Sequence, residues 1–149
     1  MILQLFPDHR PWFLTGLMVL ICLLPGSNKA HAEPINVIVH PNQSSVKLSS
    51  QSLWAIYGMK TRSWPDGSRI KVFTLPSKHP LHRHFAIQAL KTYPYQLDRV
   101  WQRLTFSGTG KAPTQVASEQ EMIDAVSSTP GAIGYINATT NKGASHVIE

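Results

Sequence analysis

The chain has 149 residues, a formal net charge of +6, 15% charged residues and a single cysteine, Cys22. This length allows one domain with one sizeable core and excludes two. One cysteine excludes an intrachain disulfide, so the fold must rest on packing and hydrogen bonds.

Residues 1–32 read as a secretory signal peptide. Arg10 precedes an apolar run from Trp12 to Leu24, followed by Pro25, Gly26 and the small-residue pattern Ala30-His31-Ala32. The run is thirteen residues long, whereas a spanning helix needs about 20, so cleavage after Ala32 is expected and the membrane is met only through the uncleaved signal. Cleavage leaves 117 of the 149 residues (149 minus 32), and Cys22 departs with the signal. An exported chain without cysteine suits a bacterial envelope compartment, the periplasm.

Charge is unevenly placed. Residues 60–111 carry ten Lys and Arg against Asp66 and Asp98, a net of +8, while residues 112–149 carry Lys142 against Glu119, Glu121, Asp124 and Glu149, a net of −3. Such asymmetry suits an anionic ligand, an acidic partner or an anionic surface, or else simply a solvated basic face. Export argues against nucleic acid as the partner.

In chain order, the β-branched run Ile35–Val39, closed by Pro41 after His40, predicts a buried first strand. Ser49 or Ser50 can cap a helix with Leu53, Trp54, Ile56 and Tyr57 on its apolar face and Gly58 at its end. Trp64-Pro65-Asp66-Gly67 predicts a turn, and Arg69–Leu75 alternates as a strand. Pro80 opens a helix expected to run to about Lys91. After Pro94, Leu97, Val100, Trp101 and Leu104 repeat at helical spacing. Ser118-Glu119-Gln120-Glu121 is a capping box that starts a further helix, and Gly131–Ile136 predicts a last buried strand. Residues 33–137 thus form a single small α/β domain, a sheet flanked by helices, and residues 138–149 a polar, poorly patterned tail.

Leu104–Pro113, LTFSGTGKAP, superficially resembles a phosphate-binding P-loop, but Thr105 stands where the first glycine belongs and Lys111 is followed by Ala112. The stretches VIVHPNQSSVKLSSQSLWAIYGMKTRSWPDGSRIKVF, LHRHFAIQAL, YQLDRVWQRLTFSGTGKAP and SEQEMIDAVSSTPGAIGYI together resemble the small phosphate-ABC-transporter substrate-binding-like proteins, relatives of the type 2 periplasmic binding proteins. The resemblance implies one lobe of such a protein, since the family's full binding proteins have two. It also implies phosphate or a related oxyanion as ligand, and an ABC transporter permease, a sensor or another envelope protein as partner. The family's anion loop, S-G-T at a helix start after a strand, falls here on Leu75–Pro80, where Ser77 remains and the glycine does not.

The residue types that an oxyanion needs are hydroxyl and amide donors, a helix N-terminus and a guanidinium. Ser77, Lys78, His79 and Arg83 supply them within two turns, and Ser107, Thr109 and Lys111 form a second donor set if their loop folds over the ligand. As a plain cap of the preceding helix, that loop needs no ligand. His79 and His82 share a helical face but His84 points away, so three imidazoles do not converge on a metal. Glu119, Glu121 and Asp124 are explained by the dipole of their helix, Ser107 lacks the elbow of a hydrolase nucleophile, and neither an enzymatic constellation nor a cofactor is indicated. Two readings therefore stand open: an oxyanion-binding module, and a non-catalytic envelope interaction protein that keeps the fold without a ligand.

Overall fold

The computed structural model describes residues 34–140 and 146–148; the expected export signal lies outside them. Five strands form one sheet: β1 (Ile35–Val39), β2 (Lys71–Thr74), β3 (Thr114–Gln115), β4 (Ala132–Asn137) and β5 (His146–Ile148), in the order β3-β2-β4-β1-β5. β2 runs parallel to both β3 and β4, whereas β1 is antiparallel to β4 in the register Ile35↔Asn137 to Val39↔Ile133. β5 pairs antiparallel with β1, so the polar tail supplies an edge strand. The helices are α1 (Ser50–Tyr57), α2 (Pro80–Gln88), α3 (Pro94–Phe106) and α4 (Glu119–Ser128).

Both faces of the sheet are covered, as β4 shows. Successive strand residues point to opposite faces. Gly134 faces α4 so closely that a Cβ there would stand 2.5 Å from Met122 Sδ and 2.9 Å from Val126 Cγ2. Its neighbour Tyr135 faces the other way and stacks on Phe85 of α2 at 3.9 Å between ring centroids, while Tyr57 of α1 meets Phe85 edge-on at 4.8 Å. Ile133, Tyr135 and Ile136 are fully buried.

Caps follow the local chemistry. Ser49 Oγ accepts the Ser52 amide at the start of α1, and Ser118 Oγ accepts that of Glu121 at the start of α4. The capping box of α4 is altered, because the Glu121 carboxylate reaches back to the Ala117 amide (2.7 Å) rather than to that of Ser118. The strand expected over Arg69–Leu75 is regular only over Lys71–Thr74. Ile70 N–H turns to Arg62 O, and Leu75 N–H is taken by the Tyr135 hydroxyl instead of a neighbouring strand. The helix expected to reach Lys91 ends at Gln88: Leu90 N–H folds back to Phe85 O, Thr92 N–H to Ala86 O, and Lys91 takes a φ of +54°. Trp54, expected in the core, is half-buried under the Lys60 ammonium, 4.5 Å from its ring centroid.

A buried polar joint binds β2, α2 and β4. The Tyr135 hydroxyl lies 2.6 Å from His82 Nδ1 and 3.1 Å from Thr74 Oγ1, and accepts the Leu75 N–H at 2.9 Å. Thr74 Oγ1 donates to Leu75 O and also lies 3.1 Å from His82 Nδ1. Burial pushes the Tyr135 phenol well up, so it stays protonated. In either tautomer of His82, buried Nε2 has no hydrogen-bond partner among the described residues.

Two outcomes follow from this packing. Trp101 is 6% exposed and its Nε1–H donates to Tyr57 O at 2.8 Å, locking α3 to the end of α1. Trp101→Ala is expected to lower unfolding free energy in urea by about 3–5 kcal/mol; an unchanged midpoint would contradict the packing. Burial lowers the pKa of His82 below its ordinary 6.5, with Asp98 partly opposing and His79 adding to the shift. The unfolded chain then binds a proton that the folded one resists, so this contribution to stability is full above about pH 6.5 and is lost as pH falls below it. The slope should reach up to about 1.4 kcal/mol per pH unit. Urea melts between about pH 7 and pH 5 check it, and equal slopes in wild type and His82→Gln would contradict it.

Candidate functional site

The polar joint fixes the end of β2, and the candidate anion junction begins directly after it. Leu75 is fully buried, and the chain then surfaces through half-buried Pro76 and Ser77 to exposed Lys78. His79 N–H donates to Pro76 O at 2.8 Å, which closes a turn into α2. Ser77 Oγ–H donates to Asp98 Oδ1 at 2.7 Å, tying the junction to α3.

The start of α2 is partly sealed. Pro80 has no N–H, and the Leu81 amide donates to His79 Nδ1 at 3.2 Å, so His79 caps the helix with its own ring. The amides of Ser77 and Lys78 meet no acceptor among the described residues. The donors left open at this junction include these two amides, the Lys78 ammonium and the exposed Arg83 guanidinium, which makes no hydrogen bond or ion pair among the described residues. Beside the junction, His79 and His84 share a shallow hollow of about 310 Å³ with Glu119 and Asn137, and the Glu119 carboxylate accepts the Asn137 amide at 2.8 Å. No group of three metal-ligating side chains converges among the described residues.

The structure puts Ser107 and Thr109 to a different use from the second donor set. The amides of Ser107, Gly108, Thr109 and Gly110 return to Arg103, Thr105 and Leu104 carbonyls at the end of α3. The two hydroxyls lie 2.7 Å apart, and Ser107 Oγ also donates to Leu104 O. Gly108 takes the left-handed φ of +68° that such a cap requires. The amides of Ser107 to Gly110 thus close a helix C-terminus and are turned to its carbonyls rather than to a ligand. No hydrogen bond joins it to Ser77, Lys78 or Arg83 among the described residues.

Sequence reasoning missed Asp98 and the joint of Thr74, His82 and Tyr135. Asp98 carried one usable signal: with Asp66, it is one of two acids within residues 60–111, a stretch of net +8. Both acids accept serine hydroxyls, Asp98 from Ser77 and Asp66 from Ser68 at 2.6 Å. Ser68 and Gln43 also hold the Asp66 carboxyl below its ordinary pKa.

No family model matches this chain, and no curated protein matches it significantly. Solved structures do. An ABC-type phosphate transport receptor from Vibrio cholerae superposes with a TM-score of 0.58 at 14% identity, over 78% of this chain and 46% of the receptor. PstS from Borrelia burgdorferi superposes with a TM-score of 0.53 at 16% identity, over 71% of this chain and 41% of that one. The chain therefore spans less than half the length of either protein. It has the fold of one lobe of a phosphate-transport receptor.

Proposed function

We propose that the chain is an exported, periplasmic solute-binding module for phosphate or a similar oxyanion, serving an ABC-type uptake system or a sensor. The observation that carries this reading is the pair of unoccupied amides at Ser77 and Lys78. They sit at the C-terminal end of β2, where open α/β sheets place their ligands. The fold, shared with a protein described as an ABC-type phosphate transport receptor, supports it, and a transport-type fold fits a protein that is not an enzyme. Among the described residues no helix is long and apolar enough to cross a membrane.

The junction also gives the proposed site a selectivity. An anion that takes the Ser77 hydroxyl draws it from Asp98 and leaves that carboxylate facing the ligand. Hydrogen phosphate carries a proton that Asp98 can accept, whereas sulfate at neutral pH carries none and meets a bare repulsion. Lys78 and Arg83 supply compensating charge. Ser77 is half-buried and Lys78 and Arg83 are exposed, so a bound anion keeps part of its water and affinity should lie in the μM to mM range, about −8 to −4 kcal/mol.

The sealed start of α2 favours a second reading, an envelope interaction protein that keeps the fold without a ligand. Calorimetric titration separates the two. The expected result is saturable heat with phosphate, weaker by about tenfold or more with sulfate at equal ionic strength. Ser77→Ala and Arg83→Ala should each weaken phosphate binding by about 1.5–3 kcal/mol, the range for hydrogen bonds to charged groups. No heat and no thermal shift at millimolar phosphate would sink the binding reading and leave the second.

A further inference from the structure

The Ser77 junction lies at the C-terminal ends of the parallel strands. A second concavity of about 480 Å³ lies toward their N-terminal ends, lined among others by Lys71, the first residue of β2, and Thr114, the first residue of β3. Four cations line it, Arg62, Arg69, Lys71 and Lys111, and no acidic residue does. The side chains of Arg69, Lys71 and Lys111 have no hydrogen-bond or ion-pair partner among the described residues. Grouping like charges in a concave wall concentrates the field on an incoming anion.

Arg62 is fixed in this wall. Its Nε–H donates to Met59 O at 3.1 Å and its Nη2 to Thr109 O at 2.9 Å, so the guanidinium bridges the end of α1 and the FSGTG loop. Three of its five N–H groups remain for a ligand. Gly110 makes room for it, since a Cβ there would stand 3.2 Å from Nη2. Just beyond, the amides of Lys111 and Ala112 meet no acceptor among the described residues. The loop that closes α3 thus also contributes Gly110, Lys111 and Ala112 to the lining of the concavity.

We propose that this concavity is a second anion site, for a small oligophosphate, an anion of several linked phosphate groups. Its volume falls within the usual range for ligand pockets, about 300–1,000 Å³, and far exceeds the need of one orthophosphate. A single phosphate would also leave most of the four cations unneutralised, whereas linked phosphates carry the charge to meet them. The floor beneath them contains Val72, Phe73 and Pro113 and excludes water from one side, which strengthens each charged contact. The inference does not depend on phosphate binding at Ser77, because the two sites share no residue.

The test is calorimetric titration of the purified full chain with inorganic tripolyphosphate, with orthophosphate as comparison at equal ionic strength. Tripolyphosphate should bind saturably and at least about tenfold tighter than orthophosphate. Lys71→Gln combined with Lys111→Gln should weaken it by about tenfold or more, while Ser77→Ala and Arg83→Ala should leave it unchanged. Both cations are exposed, so the double variant should melt like wild type, and Arg69→Gln provides an independent variant if it does not. Absence of saturable heat, equal affinity in wild type and the charge variants, or loss on Arg83→Ala would each overturn the proposal. Loss of orthophosphate binding alone would bear only on the Ser77 site.

Discussion

The structure depends on one buried phenol. The Tyr135 hydroxyl meets three partners on two other elements: the Leu75 amide and Thr74 hydroxyl at the end of β2, and the His82 imidazole of α2. A hydroxyl buried without partners would cost several kcal/mol, so its position is as constrained as that of a core side chain. Where β2 stops, how α2 sits and where the chain turns outward at Ser77 all follow from satisfying it. The candidate junction is the surface end of that arrangement, and Asp98 fastens it from α3.

Rigidity and openness divide along this line. Beneath the junction, β2, α2 and β4 are joined by hydrogen bonds and by the stacked pair of Phe85 and Tyr135. Above it, two amides and two cations have no partner among the described residues. A fixed base under unoccupied donors is the arrangement that lets a small anion bind without reorganising the protein.

How much of this was legible in sequence depended on how far apart the cooperating residues lie. Local patterns named β1, β4 and all four helices, because β-branched runs, serine caps at 49 and 118 and prolines at 80 and 94 act within a few positions of themselves. β3 left no trace, being two residues long with both exposed. β5 lay in a polar stretch whose sole hint was Val147-Ile148. Ser77 and Lys78 could be placed at a strand-to-helix junction. Asp98, 21 positions from Ser77, and Tyr135, 53 from His82, could not be assigned partners, because no short-range pattern encodes a contact at that separation. The glycine-rich loop misled in a different way: its composition suits an anion cradle and a helix terminus equally, and only the direction of its amides distinguishes them.

The sheet order has a further consequence for how the chain must come together. β1 is the first strand made, yet both of its neighbours, β4 and β5, come from residues 132–148. During N-to-C synthesis the apolar segment Ile35–Val39 therefore stays unpaired until residues 132–148 have emerged. Contacts of such long sequence separation form slowly, because a large loop must close before they are gained. Until that late pairing is made, a partner that covers the exposed strand would protect the chain from aggregation.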